Sequence, residues 1–286
     1  MGLHGTIRRH CWGAACVAVL ASAPAHAVES VDLALILAVD VSESVDRREA
    51  VQQRRGYIQA IQAPDVIAAI RSGPQGRIAT TYIEWAGPDH FFVVLDWATI
   101  DGPESARSFA ARLQAEEITQ GFTTSITGLM RRTPAVFASL PVPAERYVLD
   151  ISGDGPNNDG GYVVHARERL INAGVTINGL PILNDRPAPS GYPRLENLSR
   201  YFEHCVVGGS GSFQIAAESF EDFAIAIRLK LVQEIAWRGP QRPAERRLLR
   251  LAAAPAYDCT IGEKQSRERL RKKFQSTGGE PARGIR

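Results

Sequence analysis

The sequence predicts an α/β fold, doubly wound, with a mostly parallel central sheet, one antiparallel edge strand and helices on both faces. Three observations carry this. Leu33–Val39 is an unbroken apolar run, the pattern of a strand buried on both faces. Strand-like and helix-like segments then alternate along the chain, as a parallel sheet wrapped by helices requires. Two strand-like runs, Arg77–Ala86 and Phe91–Ala98, are separated only by Gly87-Pro88-Asp89-His90, a turn short enough for an antiparallel hairpin.

The elements follow in order. Val45–Gln62 carries Val51, Tyr57, Ile58 and Ile61 at helical spacing. After the hairpin, Pro103–Glu117 and Ser125–Leu140 read as helices, the second with Pro134 placed to break or kink it. Arg146–Ile151 is a strand that runs into the polar turn Ser152-Gly153-Asp154-Gly155. Gly161–Ala173 is helical, with Gly174 at its C-terminal cap, and Val175–Leu183 is the next strand. A Pro-rich loop, Asn184–Pro193, leads to a short helix at Leu195–His204. Cys205–Val207 and Ser212–Ile215 flank a Gly-Gly-Ser-Gly segment. The last long helix, Phe220–Trp237, sets Phe220, Phe223, Ala224, Ile227, Leu231 and Ile235 on one face.

The chain has 286 residues, 44% of them hydrophobic and 22% charged, enough apolar side chains for one sizeable core. Three regions are expected. Residues 1–27 read as a secretory signal peptide: Arg8 and Arg9 precede the short apolar run Trp12–Ala23, and Ala25-His26-Ala27 is a small-x-small cleavage site. A lipoprotein reading at Cys16 fits less well, because Gly13 stands where such a site has leucine. Residues 28–237 form the domain, and residues 238–286 a basic, flexible tail. The domain holds 18 basic and 26 acidic residues and the tail 13 basic and 5 acidic. Such a tail can dock on an anionic membrane or envelope surface, or lie in solvent or across its own acidic domain. Nothing resembles a nucleic-acid-binding module. Secretion would leave Cys205 and Cys259 in an oxidising compartment. They either pair, stapling the tail to the domain, or remain as a buried and an exposed thiol; no zinc-site spacing accompanies them.

In open parallel sheets ligands gather at the carboxyl ends of the strands. Asp40-Val41-Ser42-Glu43-Ser44 follows the first strand and Asp154-Gly155 follows the fourth, while Thr124 opens a helix between them. If the first segment stays extended, Ser42 and Ser44 point the same way. Two carboxylates and three hydroxyls make an all-oxygen set suited to magnesium, manganese or calcium, and a cation relieves the repulsion between Asp40 and Asp154. Each piece has a plainer reading: Ser44 capping the next helix, Asp-Gly making a turn. Glu43 is expected to point away, Trp85 and Trp97 to pack in the core or at the edge, and His90 and His165 to serve in turns or at the surface.

Together, in this order, the pieces resemble the metal-ion-dependent adhesion site of von Willebrand factor A domains. The resemblance covers roughly residues 31–237 and is nearest to a bacterial A-domain-like family of secreted proteins without assigned function. It implies direct metal ligation by Ser42, Ser44 and Thr124, and ligation through water by Asp40 and Asp154. Gly121-Phe122-Thr123-Thr124-Ser125-Ile126 offers two threonines. The spacing to Ile126 favours Thr124, and the spacing from Gly121 favours Thr123. In such a site the metal keeps one open position for a carboxylate from a protein partner, so the expected function is a binding module. An enzyme is disfavoured: Ser42 stands where an aspartyl-phosphatase pattern needs a second Asp, and neither a Gly-x-Ser-x-Gly elbow nor a phosphate-binding Gly-Lys-Ser/Thr loop occurs. A metal-stabilised scaffold and, further off, a metal-dependent hydrolase are the alternatives.

Overall fold

The computed structural model describes Gly2 and residues 29–183, 194–220, 222–237 and 257–276. The signal-peptide expectation, the Pro-rich loop and the first part of the basic tail fall outside these residues.

Five strands make one sheet: β1 (Leu33–Asp40), β2 (Ile78–Trp85), β3 (Phe91–Ile100), β4 (Tyr147–Gly153) and β5 (Thr176–Pro181), in the order β3-β2-β1-β4-β5. β1 pairs in parallel with β2 and β4, β4 with β5 in parallel, and β3 antiparallel with β2 at the edge. Beyond β5, residues 208–217 form only isolated bridges, among them Gly179 with Gln214 and Ile182 with Ala217.

The helices divide between the two faces because β1 alternates. Leu33, Leu35, Leu37 and Val39 pack with α1 (Arg47–Ile61), α2 (Pro64–Arg71), α3 (Pro103–Ala115) and α7 (Phe223–Ala236). Ile36 and Ala38 pack with α4 (Ile126–Ala138), α5 (Val163–Asn172) and α6 (Leu198–Tyr201), which runs on into a π-helical turn, Phe202–Val206. With all eight residues of β1 buried, the continuous apolar run is explained: both faces meet helices.

Three local expectations change. α2 is an additional helix, started by Pro64 at its first position, where a proline's missing N–H costs nothing. Pro134 neither ends nor splits α4. It removes one backbone bond only four residues before the end, and Val136 and Phe137 beyond it are held by the core and by Trp97, whose indole donates to the Val136 carbonyl at 3.0 Å. The segment after β1 is a turn closed by Val45 N–H to the Ser42 carbonyl at 2.9 Å, not an extended strand. Gly174, with φ +88°, supplies the left-handed residue that ends α5.

Part of the segment read as a basic tail lies on the domain. Cys205 and Cys259 form a disulfide, and α8 (Ile261–Ser276) follows it. Tyr257, Cys259 and Ile261 pack against the α4/α5 side of the core.

Candidate metal centre

The chain leaves β1 toward β2 on one side of the sheet and reaches β4 and β5 on the other. The order therefore reverses between β1 and β4, and their carboxyl ends open a crevice there. Asp40 ends β1 and Asp154 directly follows β4. Gly153 leaves room for the Asp40 carboxylate, since a Cβ at that position would stand 3.1 Å from Asp40 Oδ2.

All five side chains singled out from sequence meet in this crevice. Asp40 Oδ1 accepts the Ser42 backbone N–H at 2.8 Å. Ser42 Oγ lies 3.1 Å from Ser44 Oγ, and the Thr124 hydroxyl donates to Ser42 Oγ at 3.3 Å. The Ser44 hydroxyl donates to Asp154 Oδ1 at 2.5 Å. Ser44 is therefore not the cap of α1. That role falls to Asp46, which accepts the Glu49 N–H while Glu49 reaches back to the Asp46 N–H. Of the two threonines, Thr124 faces the crevice, whereas the Thr123 hydroxyl donates to Asp159 at 3.0 Å.

The loops carrying these groups are cross-tied. Gly121 N–H donates to the Val41 carbonyl, and the Gln120 amide to that of Val45. Ser125 caps α4, and its N–H donates to the Ala86 carbonyl. Asn158 accepts the Thr124 N–H and Asn157 accepts the Thr127 N–H, each at 2.9 Å. Beneath the site, Gln53 donates to the Asp40 carbonyl. Beside it, the buried Arg54–Glu84 ion pair holds the loop before Thr124, Arg54 donating to the Glu116 and Glu117 carbonyls and Glu84 accepting from Thr119. Trp85 is buried, as expected, and His90 meets Thr119.

The electrostatics are set by two carboxylates buried together. Asp40 and Asp154 are both buried. Burial, and next the charge of Asp154, push Asp40 up to about 8. Burial also raises Asp154, against hydrogen bonds from Ser44 and Arg194. Asp40 Oδ2 is buried with no hydrogen-bond partner. An oxygen-seeking divalent ion fits this donor set of two carboxylates and three hydroxyls. Among the described residues, no group of three or more His, Cys, Asp and Glu side chains could hold a metal, so hydroxyls are essential to any site here.

Sequence reasoning missed Arg194, whose guanidinium lies 3.2 Å from Asp154 Oδ2. It enters from beyond β5, forty residues away, and no local pattern marks it. Asn157 and Asn158 were visible beside Asp154, but their hold on Thr127 and Thr124 is a tertiary fact.

This sheet order, with Asp-x-Ser-x-Ser closing β1, a loop threonine before α4 and Asp-Gly closing β4, defines a von Willebrand factor A-like domain protein. Solved structures of similar fold include the PilB minor pilin from Streptococcus sanguinis, at 12% identity and TM-score 0.52, covering 75% of this chain and 64% of that one. Proximal thread matrix protein 1 from the mussel byssus matches at 16% identity and TM-score 0.51, covering 73% of this chain and 49% of its own. This chain thus spans about half the length of the byssus protein. A von Willebrand factor type A protein from Catenulispora acidiphila also matches, at 12% identity and TM-score 0.46, over 72% of this chain and 42% of that one. No curated protein matches the chain. Residues 30–239 match the model of a family described as a protein of unknown function, DUF1194, and the chain belongs to that family.

Proposed function

We propose that this protein is a secreted binding module that holds one divalent cation in the crevice between β1 and β4 and uses it to recognise a carboxylate on a protein partner. The supporting observation is the convergence of Asp40, Ser42, Ser44, Thr124 and Asp154 around the partnerless buried oxygen of Asp40. Ser42, Ser44 and Thr124 would ligate directly, and Asp40 and Asp154 through water. Neutral inner ligands leave the ion electrophilic, so one more anionic oxygen is gained strongly. Magnesium, manganese and calcium suit the oxygen set. The byssus protein has also been solved with zinc in its MIDAS motif. The similar folds of a minor pilin and a byssus matrix protein agree with a binding role rather than catalysis.

The rest of the reading concerns location. No helix of the described residues is long and apolar enough to cross a membrane. Read as a secretory leader, residues 1–27 would put the domain in the periplasm or outside the cell. α8 exposes Arg267, Arg271, Lys272 and Lys273, and the basic C-terminal region would add contact with anionic envelope surface.

The test is a magnesium, manganese and calcium titration of chelator-treated protein by thermal unfolding, followed by binding of an immobilised aspartate-containing peptide with and without chelator. Ser42→Ala is expected to weaken both metal and peptide binding. Peptide affinity that is unchanged in Ser42→Ala, or in chelator, would refute a metal-mediated contact.

A further inference from the structure

The region matched to the family ends at residue 239, yet the chain continues, and residues 257–276 return to the domain beside the crevice. At the crevice they meet Asn157, three positions after Asp154. The Asn157 amide Nδ2 donates to Glu263 Oε1 at 2.8 Å. Gly262 lies directly over the Asn157 carbonyl, where a Cβ would come within 2.1 Å of that oxygen and 3.1 Å of Pro156 Cβ. The Asn157 N–H donates to the Tyr201 hydroxyl at 3.1 Å, and the Tyr201 ring packs edge-on to Tyr257, their centroids 6.4 Å apart. Tyr257 also stacks on His204 at 5.2 Å. The Cys205–Cys259 disulfide closes this arrangement by joining the π-helical turn to the start of α8.

Asn157 is in turn a hinge pin for the ligand loops. Its Oδ1 accepts the Thr127 N–H in the first turn of α4, and its Nδ2 also donates to the Gly161 carbonyl. The next residue, Asn158, accepts the Thr124 N–H. A shift of the 154–161 loop therefore moves Asp154 and the Thr124 end of α4 together.

We propose that residues 257–276 are a strap locked by the Cys205–Cys259 disulfide, which positions the Asp154 loop through Gly262 and Glu263 and so sets the affinity of the metal centre. The inference rests on the metal-site reading given above, but the positioning itself does not need a metal. Glu263 and Gly262 are positioning residues, acting through Asn157. The strap is also redox-sensitive. A dithiol reductant delivers two electrons and two protons, leaving Cys205 and Cys259 as thiols and itself as a disulfide, and the loop then loses its tether.

The experiment uses the full chain, with Glu263→Ala, Glu263→Gln, Gly262→Val and the Cys205→Ser/Cys259→Ser double variant, plus wild type treated with dithiothreitol. Two readouts are taken: hydrogen exchange at the Thr124 and Thr127 amides without metal, and the magnesium dissociation constant by calorimetry. Loss of the strap contact is expected to speed exchange at both amides and weaken magnesium about threefold, less than the roughly 10–100-fold for removing a group bonded directly to a metal ligand. Glu263→Gln, which retains the accepting oxygen, should stay near wild type. If the double cysteine variant fails to fold, Gly262→Val and Glu263→Ala decide. Unchanged amide protection in those two variants overturns the proposal. Faster exchange in a chain that binds no magnesium even as wild type upholds the strap and refutes the metal reading instead.

Discussion

Asp40→Asn is expected to stabilise the metal-free protein while abolishing its response to metal. Asp40 is fully buried; Oδ1 accepts the Ser42 N–H at 2.8 Å, and Oδ2 has no partner. Asparagine keeps the accepting oxygen and removes the charge that opposes Asp154. The amide still puts a polar atom where Oδ2 stands, so the gain counted is that of removing a buried titratable group, about 1–3 kcal/mol at about 1.4 kcal/mol per pKa unit. At roughly 2–4 °C per kcal/mol for a domain of this size, the metal-free melting temperature should rise by about 2–12 °C. The pH dependence gives the sign independently. Burial and Asp154 raise Asp40 from 3.8 to about 8 in the folded state. Between these values the folded protein retains a proton that the unfolded chain releases, so metal-free stability falls as pH rises through that window. The slope should be shallower in Asp40→Asn. Thermal unfolding of chelated protein, measured across that window with and without saturating magnesium, provides the assay. A metal-free Asp40→Asn protein less stable than wild type, or one with an undiminished magnesium shift, would refute the view of Asp40 as a carboxylate held in place for a cation.

Two further perturbations probe the surroundings. Arg194 lies 3.2 Å from Asp154 Oδ2 and is a cation already present at the site. Arg194→Ala should tighten magnesium binding roughly three- to tenfold, the equivalent of a partly exposed ion pair worth about 1 kcal/mol; unchanged affinity by calorimetry would show that the guanidinium does not compete. Elsewhere in the core, the buried Lys230 of α7 bridges Asp150 on β4 at 2.5 Å and Glu234 one helical turn on. Lys230→Met leaves two buried carboxylates facing each other and should cost about 3–5 kcal/mol in denaturant unfolding. A loss below about 1 kcal/mol would mean that one of these carboxylates is neutral in the native protein.

The legible part of this protein was what short stretches of chain encode. The apolar run of β1 declared burial on both faces, and the short turn between β2 and β3 declared the hairpin. Asp40, Ser42, Ser44, Thr124 and Asp154 each follow or open a recognisable element, so their approach could be expected from the sheet rule alone. Within that motif, local reasoning left alternatives open where competing local solutions existed. Asp46 and Ser44 are both able to cap α1, and only the capping box with Glu49 and the pull of Asp154 on Ser44 decided between them. Thr123 and Thr124 are equivalent in type, and Asp159 drew one away.

The α/β class, the strand ends where oxygen-bearing side chains gather and the identity of those side chains could be read from the chain alone, because periodicity and turn chemistry act over a few residues. That Cys205 joins Cys259, that Arg194 reaches Asp154 and that Glu263 grips Asn157 across 106 positions emerges from the folded chain. Such contacts depend on how the sheet twists and where loops return, which side-chain type and spacing do not encode.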